Sequence, residues 1–125
     1  MALHNQLGKW GEQIACEKLV AEGCAIRDRN WRMGHYEIDI VAMRGSRVVF
    51  CEVKTRSDDH FDPLEAVDSR KMTRMVAAAA VYMEANGLQM LEPQFDLFGI
   101  CGTPGSGYTV EHIADAFEIP LTTYR

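Results

Sequence analysis

The chain has 125 residues, a mass of 14.1 kDa and a formal net charge of -5, with 47% hydrophobic and 25% charged residues. These proportions fit one globular domain spanning 1–125 and exclude a disordered tail, a collagen-like fibre and a coiled coil. No apolar run reaches the ~18–20 residues of a membrane span, and the N-terminus has no signal-like apolar stretch, so the expected setting is soluble and cytoplasmic, with no membrane partner.

In chain order, Asn5 to Glu22 reads as a helix: Leu7, Trp10, Ile14 and Leu19, with Ala15 and Cys16 between them, recur near helical spacing, and Gly23 is a stop. Cys24–Trp31, Tyr36–Met43 and Arg47–Thr55 read as three strands. Arg56–Pro63 is a loop. Val67 to Ala85 reads as a second helix, capped by Asp68 or Ser69, carried by the run Ala77–Ala80 and ended by Asn86-Gly87. Phe95–Cys101 and Tyr108–Ile113 read as two more strands around a Gly102–Gly107 turn. The order α-β-β-β-α-β-β predicts an α/β protein, a small mixed sheet with helices packed on it.

Gly45-Ser46 suits a two-residue hairpin turn of type II′, with Gly first. With those two as the loop, Arg44 faces Arg47, Val41 faces Phe50, Asp39 faces Glu52 and Glu37 faces Lys54. One hairpin face is then wholly apolar: Ile38, Ile40 and Ala42 with Val49, Cys51 and Val53. The other is apolar near the turn (Val41, Met43, Val48, Phe50) and charged at the far end (Glu37, Asp39, Glu52, Lys54). A helix over the apolar end would leave the charged end in a cleft. Like charges directly across two strands destabilise the pair, so Asp39 opposite Glu52 requires a shared proton, a nearby cation or a divalent metal. Lys54 offsets part of that charge, and a hard cation such as Mg²⁺ is held by one or two carboxylates plus water and phosphate. Glu12 lies on or beside the apolar side of the first helix, where an unpaired carboxylate is costly, and can point to the Lys54 end or to a metal-bound water. Glu37 reads either as a supporting site residue or as a plain cross-strand partner of Lys54.

Asp39, followed thirteen residues on by Glu52-x-Lys54, at the ends of paired strands after a helix bearing Glu12, resembles the PD-(D/E)xK nuclease core. More narrowly, Gly8-x-x-Gly11-Glu12-x-x-Ala15, Arg29-Asn30-Trp31-Arg32, Glu37-Ile38-Asp39-Ile40-Val41-Ala42 and Phe50-Cys51-Glu52-Val53-Lys54-Thr55-Arg56 resemble the YraN-like family of bacterial proteins, itself similar to archaeal Holliday junction resolvases. The resemblance continues through Pro63, Ala66-Val67, Arg70-Lys71, Phe95-Asp96, Glu111-His112-Ile113 and Ala116-Phe117. It departs at Tyr36, where the family usually has Gly. It implies a restriction-endonuclease-like fold, a central five-stranded mixed sheet flanked by helices. It also implies a Mg²⁺- (or Mn²⁺-) dependent endonuclease hydrolysing DNA phosphodiester bonds, with branched junctions among the candidate substrates. Asp39, Glu52 and the Val53 carbonyl would hold the metal. Lys54 would orient or deprotonate the attacking water or stabilise charge on the phosphate, and Glu12 would assist through water. A homodimer is an assembly expected at family level.

The charge is unevenly spread. Residues 1–74 carry 12 basic and 12 acidic side chains, whereas residues 75–125 carry one basic residue, Arg125, and six acidic ones. With Glu12, Glu37, Asp39 and Glu52 assigned to a metal site, the first part becomes net basic. The expectation is a weakly basic face at the cleft, with Arg29, Arg32, Arg56, Arg70, Lys71 and Arg74 contacting phosphates, and an acidic face opposite. The competing readings are a nucleic-acid-binding module without catalysis, and a protein-interaction subunit that keeps the fold. The four cysteines form no C-x-x-C pair and read as reduced core residues. None of the four histidines is assigned a function.

Overall fold

A computed structural model describes residues 2–58 and 62–117, with backbone alone for residues 2–4 and 66. It contains α1 (Ala2–Ala21), β1 (Ala25–Met33), β2 (Tyr36–Arg44), β3 (Arg47–Arg56), a 3-10 turn (Pro63–Ala66), α2 (Ser69–Ala85), β4 (Glu92–Gly102) and β5 (Tyr108–Ile113). The five strands form one sheet in the order β1-β2-β3-β4-β5. All neighbours are antiparallel except β3 and β4, which the crossover through α2 makes parallel. This is the expected α/β mixed sheet with the expected element order.

Each boundary has a local cause. The end of α1 folds back, the Cys24 and Gly23 N–H groups donating to the carbonyls of Leu19 and Val20 at 2.9 and 3.0 Å. Gly45 has φ 59° and opens the tight β2–β3 turn, so the hairpin register runs as expected from Arg44↔Arg47 through Val41↔Phe50 to Ile40↔Cys51. The second helix starts two residues later than its apolar pattern suggests. Pro63 opens a separate 3-10 turn that ends at Ala66, Val67 is extended, and the Asp68 side chain caps α2 by accepting the Lys71 N–H. The expected loop at Arg56–Pro63 lies partly outside the described residues.

The two helices cover opposite faces of the sheet. On one, Ala15, Cys16 and Leu19 of α1 pack against Ile40, Ala42, Val49, Cys51 and Phe98. On the other, Met75, Ala78, Ala79, Tyr82 and Met83 of α2 pack on Val41, Val48, Phe50, Phe95 and Leu97. Tyr82 anchors this face. Its ring meets Trp31 and Phe50 edge-on, and its hydroxyl donates to Asp28 and accepts from Arg27 Nε. The α1 face uses small residues, and Leu7, Trp10 and Ile14 stay half-exposed, with Trp10 edge-on to Tyr108. Cys16, Cys24 and Cys51 are buried thiols, as expected, and burial pushes all three up in pKa, whereas Cys101 is half-buried and not part of the core. Among the described residues, no helix is long and apolar enough to cross a membrane.

Candidate functional site

The charged end of the hairpin is where the regular ladder stops. The β2–β3 pairing ends at Ile40↔Cys51, so Asp39 and Glu37 are not held in the expected pairs with Glu52 and Lys54. On its other side, β2 passes from Arg29↔Ile40 to Trp31↔Ile38, with Asn30 and Asp39 falling between these pairs. Asn30 adopts a left-handed backbone, φ 52°, a conformation that asparagine tolerates better than most residues. The strand is therefore out of simple alternation here. Ile38 packs on the α2 face with Trp31 and Val41, not with Ile40 and Ala42 as the period-two pattern predicts.

That irregularity turns Asp39 toward β3, where its Oδ2 accepts the Val53 N–H at 2.8 Å. Burial and the neighbouring Glu52 charge push the Asp39 carboxyl up to about 7, while the Val53 N–H and the Lys71 charge pull it the other way. Glu52 is only 6% exposed. Two ammonium groups flank its Oε2, Lys54 Nζ and Lys71 Nζ, each at 3.3 Å. Lys54 projects from the same strand, whereas Lys71 reaches in from the first turn of α2. Lys71, one of the residues expected to contact phosphates, pairs its ammonium with Glu52. Nothing in the local pattern distinguishes it from Arg70 or Arg74, because only the seating of α2 on β3 decides which of the three points inward.

Glu12 reaches the same end of the sheet. It is half-buried, its Oε1 accepts from Asn30 Nδ2 at 2.9 Å, and its charge acts on Asp39. Gly11 explains the approach: a Cβ there would run into the Thr55 side chain, so α1 lies against β3 at a distance that only glycine permits. Asn30, assigned no role from sequence, thus ties the helix to the irregular part of the hairpin. Glu37 is exposed and pairs with Arg32 at 3.3 Å across β1–β2. This replaces the expected pairing with Lys54, because β2 and β3 have already parted.

Among the described residues, no cluster of three or more His, Cys, Asp or Glu side chains is arranged to hold a metal. Of the carboxylates that act on Asp39, Glu52 has the larger effect and Glu12 the smaller. Two hard oxygen donors match what Mg²⁺ takes from a protein, its other positions being water and phosphate, so the residues present fit such an ion. Of the residues expected to meet phosphates, Arg56, Arg70 and Arg74 are exposed, Arg29 Nη1 donates to Gln13 Oε1 at 2.9 Å, and Arg32 is taken by Glu37.

A second polar cluster, missed in the sequence, lies one strand over from this site, where Asp96 of β4 is in register with Cys51, the residue before Glu52. Asp96 is 2% exposed and accepts from Gln94 Nε2, His112 Nε2 and the Asp115 N–H. His112 stacks on Phe98, with Lys18 and Glu22 at its other nitrogen. Asp96 is therefore no part of an exposed acidic face. Arg47, counted with the basic half, pairs there with Glu92 and Asp115.

A UPF0102 protein from Bacteroides thetaiotaomicron is 45% identical over 122 residues, covering 97% of this chain and 99% of its own. A UPF0102 protein from Bacteroides fragilis is also 45% identical, over 123 residues. One from Frankia alni is 39% identical over 118 residues, covering 94% of this chain and 98% of its own. Among solved structures, Pyrococcus furiosus SfsA in complex with Ca²⁺ aligns with a TM-score of 0.41 at 15% identity, covering 86% of this chain and 62% of that one. The model of the uncharacterised protein family UPF0102 matches residues 11–100, a span that holds Glu12, Asp39, Glu52, Lys54 and Lys71. The chain belongs to this family, in agreement with its YraN-like motifs.

Proposed function

We propose that the chain is a metal-dependent endonuclease that hydrolyses DNA phosphodiester bonds in the cytoplasm, with branched DNA among its substrates. The observation that supports this most is the half-buried Asp39 and the buried Glu52, close enough for each charge to act on the other, with Lys54 beside them where the β2–β3 ladder stops. Lys54 and Lys71 answer the Glu52 charge, and a divalent cation would answer both carboxylates at once, offsetting the cost of placing like charges together.

Asp39, Glu52 and the Val53 carbonyl would hold Mg²⁺ or Mn²⁺. A bound divalent cation lowers the pKa of its water and neutralises charge on the phosphate. Lys54 donates to a non-bridging phosphate oxygen, or orients the attacking water, as charge builds there. Glu12, steadied by Asn30, holds a further water at the edge of the site. The water oxygen bonds to phosphorus, the opposite P–O bond breaks, and the departing oxygen takes a proton, leaving a phosphate monoester and a hydroxyl. Arg56, Arg70 and Arg74 supply exposed positive charge for the flanking backbone.

The purified protein with Mg²⁺ or Mn²⁺ is expected to cleave at least one of single-stranded, duplex, flap or four-way junction DNA, and Glu52→Ala to lose that activity. Cleavage of none of them, or equal cleavage by Glu52→Ala, overturns the reading. The exposed arginines favour one alternative, a DNA-binding module without catalysis. Its signature is salt-dependent binding that Lys54→Ala leaves nearly intact.

A further inference from the structure

The two lysines at Glu52 are not equivalent. Lys54 stands on β3 beside its partner, two residues along the strand. Lys71 crosses the cleft from α2, lies at the same 3.3 Å from Glu52 Oε2, and its charge also acts on Asp39. A cation shared by the two carboxylates would also have to stand where both feel it. The Lys71 backbone is fixed, because its N–H donates to the capping Asp68 carboxylate at 2.9 Å. Its side chain has four rotatable bonds and is 21% exposed, so the ammonium can leave Glu52 without any movement of the helix. A divalent cation bound between the two carboxylates would strongly repel an ammonium held at 3.3 Å from Glu52 Oε2.

We infer that Lys71 is an internal stand-in for the metal. Its ammonium holds Glu52 in the metal-free protein, gives way when a divalent cation binds Asp39 and Glu52, and then turns to a phosphate oxygen of the nucleic acid. The inference rests on the metal-dependent reading above and adds a residue to it. Its consequence is a split in sign: Lys71 opposes metal binding and favours phosphate binding. A lysine that merely supported the site would favour both.

The test is a titration of the full chain with Mn²⁺ alone, following free Mn²⁺ by electron paramagnetic resonance at low ionic strength. The proteins are wild type, Lys71→Met, Lys71→Gln, Lys71→Arg and Glu52→Gln. In parallel, a short DNA duplex is bound in saturating Ca²⁺. Lys71→Met and Lys71→Gln are expected to bind Mn²⁺ roughly tenfold more tightly than wild type, the order expected for removing one adjacent positive charge, and the duplex several-fold more weakly. Lys71→Arg should stay near wild type in both. Circular dichroism selects the folded variants, and either neutral one suffices. Unchanged or weaker Mn²⁺ binding in a folded neutral variant, with wild type binding and Glu52→Gln impaired, overturns the stand-in role alone. No Mn²⁺ binding by wild type, or equal binding by Glu52→Gln, overturns the metal site and the stand-in with it.

Discussion

Two aspartates stand on either side of β3, Asp39 on β2 and Asp96 on β4, and their surroundings differ. Asp96 has a side-chain amide, an imidazole and a backbone N–H around it, so its charge is answered by donors. Asp39 has the Val53 N–H, but its nearest charged neighbour of consequence is another carboxylate, and burial with that charge pushes its proton affinity up to about 7. A satisfied buried carboxylate locks elements together: Asp96 joins β4 to β5 and to the segment after it. Asp39 accepts one N–H yet keeps a carboxylate neighbour that raises its proton affinity, an arrangement more common at functional sites than in purely structural ones.

Substitutions can break this comparison. The largest effect is expected at Asp96. Asp96→Ala strands the Gln94 amide, the His112 ring and the Asp115 N–H, and should cost about 3 kcal/mol in urea denaturation, the scale for breaking a buried hydrogen-bonded network. Mn²⁺ affinity should be unchanged wherever the protein remains folded. A loss below about 1 kcal/mol would mean that this cluster is not the lock described.

An intermediate effect is expected from Gly11→Ala. The added Cβ meets the Thr55 side chain, so α1 must shift and carry Glu12 away from Asn30. Overpacking of this kind costs about 1–3 kcal/mol. Thr55→Ala in the same chain should recover much of it, a coupling that a double-mutant cycle measures. Purely additive losses would show that the close approach of α1 to β3 does not constrain the site.

The smallest effect, and the most diagnostic, has the opposite sign. Asp39→Asn should raise the melting temperature of the protein at pH 8 in a metal chelator, because it removes one of two neighbouring carboxylate charges. The pH dependence follows by linkage. The folded carboxyl holds its proton up to about 7, whereas the unfolded one releases it near 3.8. Between those values the folded state binds more protons, so this group makes stability fall as pH rises through the window and leaves it level above. Comparing wild type with Asp39→Asn in thermal melts from pH 4 to pH 8 should therefore show a downward component that the variant lacks. A variant less stable than wild type at pH 8 would place Asp39 with Asp96 as a structural group.

The sequence alone determined the element order, the hairpin register near its turn and the identity of Asp39, Glu52 and Lys54 as a group. These depend on short-range rules: period-two and period-three-to-four hydrophobicity, a Gly-first turn and the two ends of a tight hairpin. The ordered motifs also led to the family. Tertiary structure alone decided the rest. β2 leaves simple alternation opposite the left-handed Asn30 of β1, so that Ile38 lies on the other face and Asp39 accepts the Val53 N–H; pairing in a regular ladder predicts none of this. Glu37 goes to Arg32 because the strands part before Lys54. Lys71 enters the cleft because of how α2 seats on β3, and Asp96 and His112, distant in the chain, meet only through β4–β5 pairing. Local patterns select which face a residue occupies. Which charge it meets there depends on the packing of elements far apart in sequence, and in this chain that packing gives Asp96 its donors and Asp39 a carboxylate neighbour.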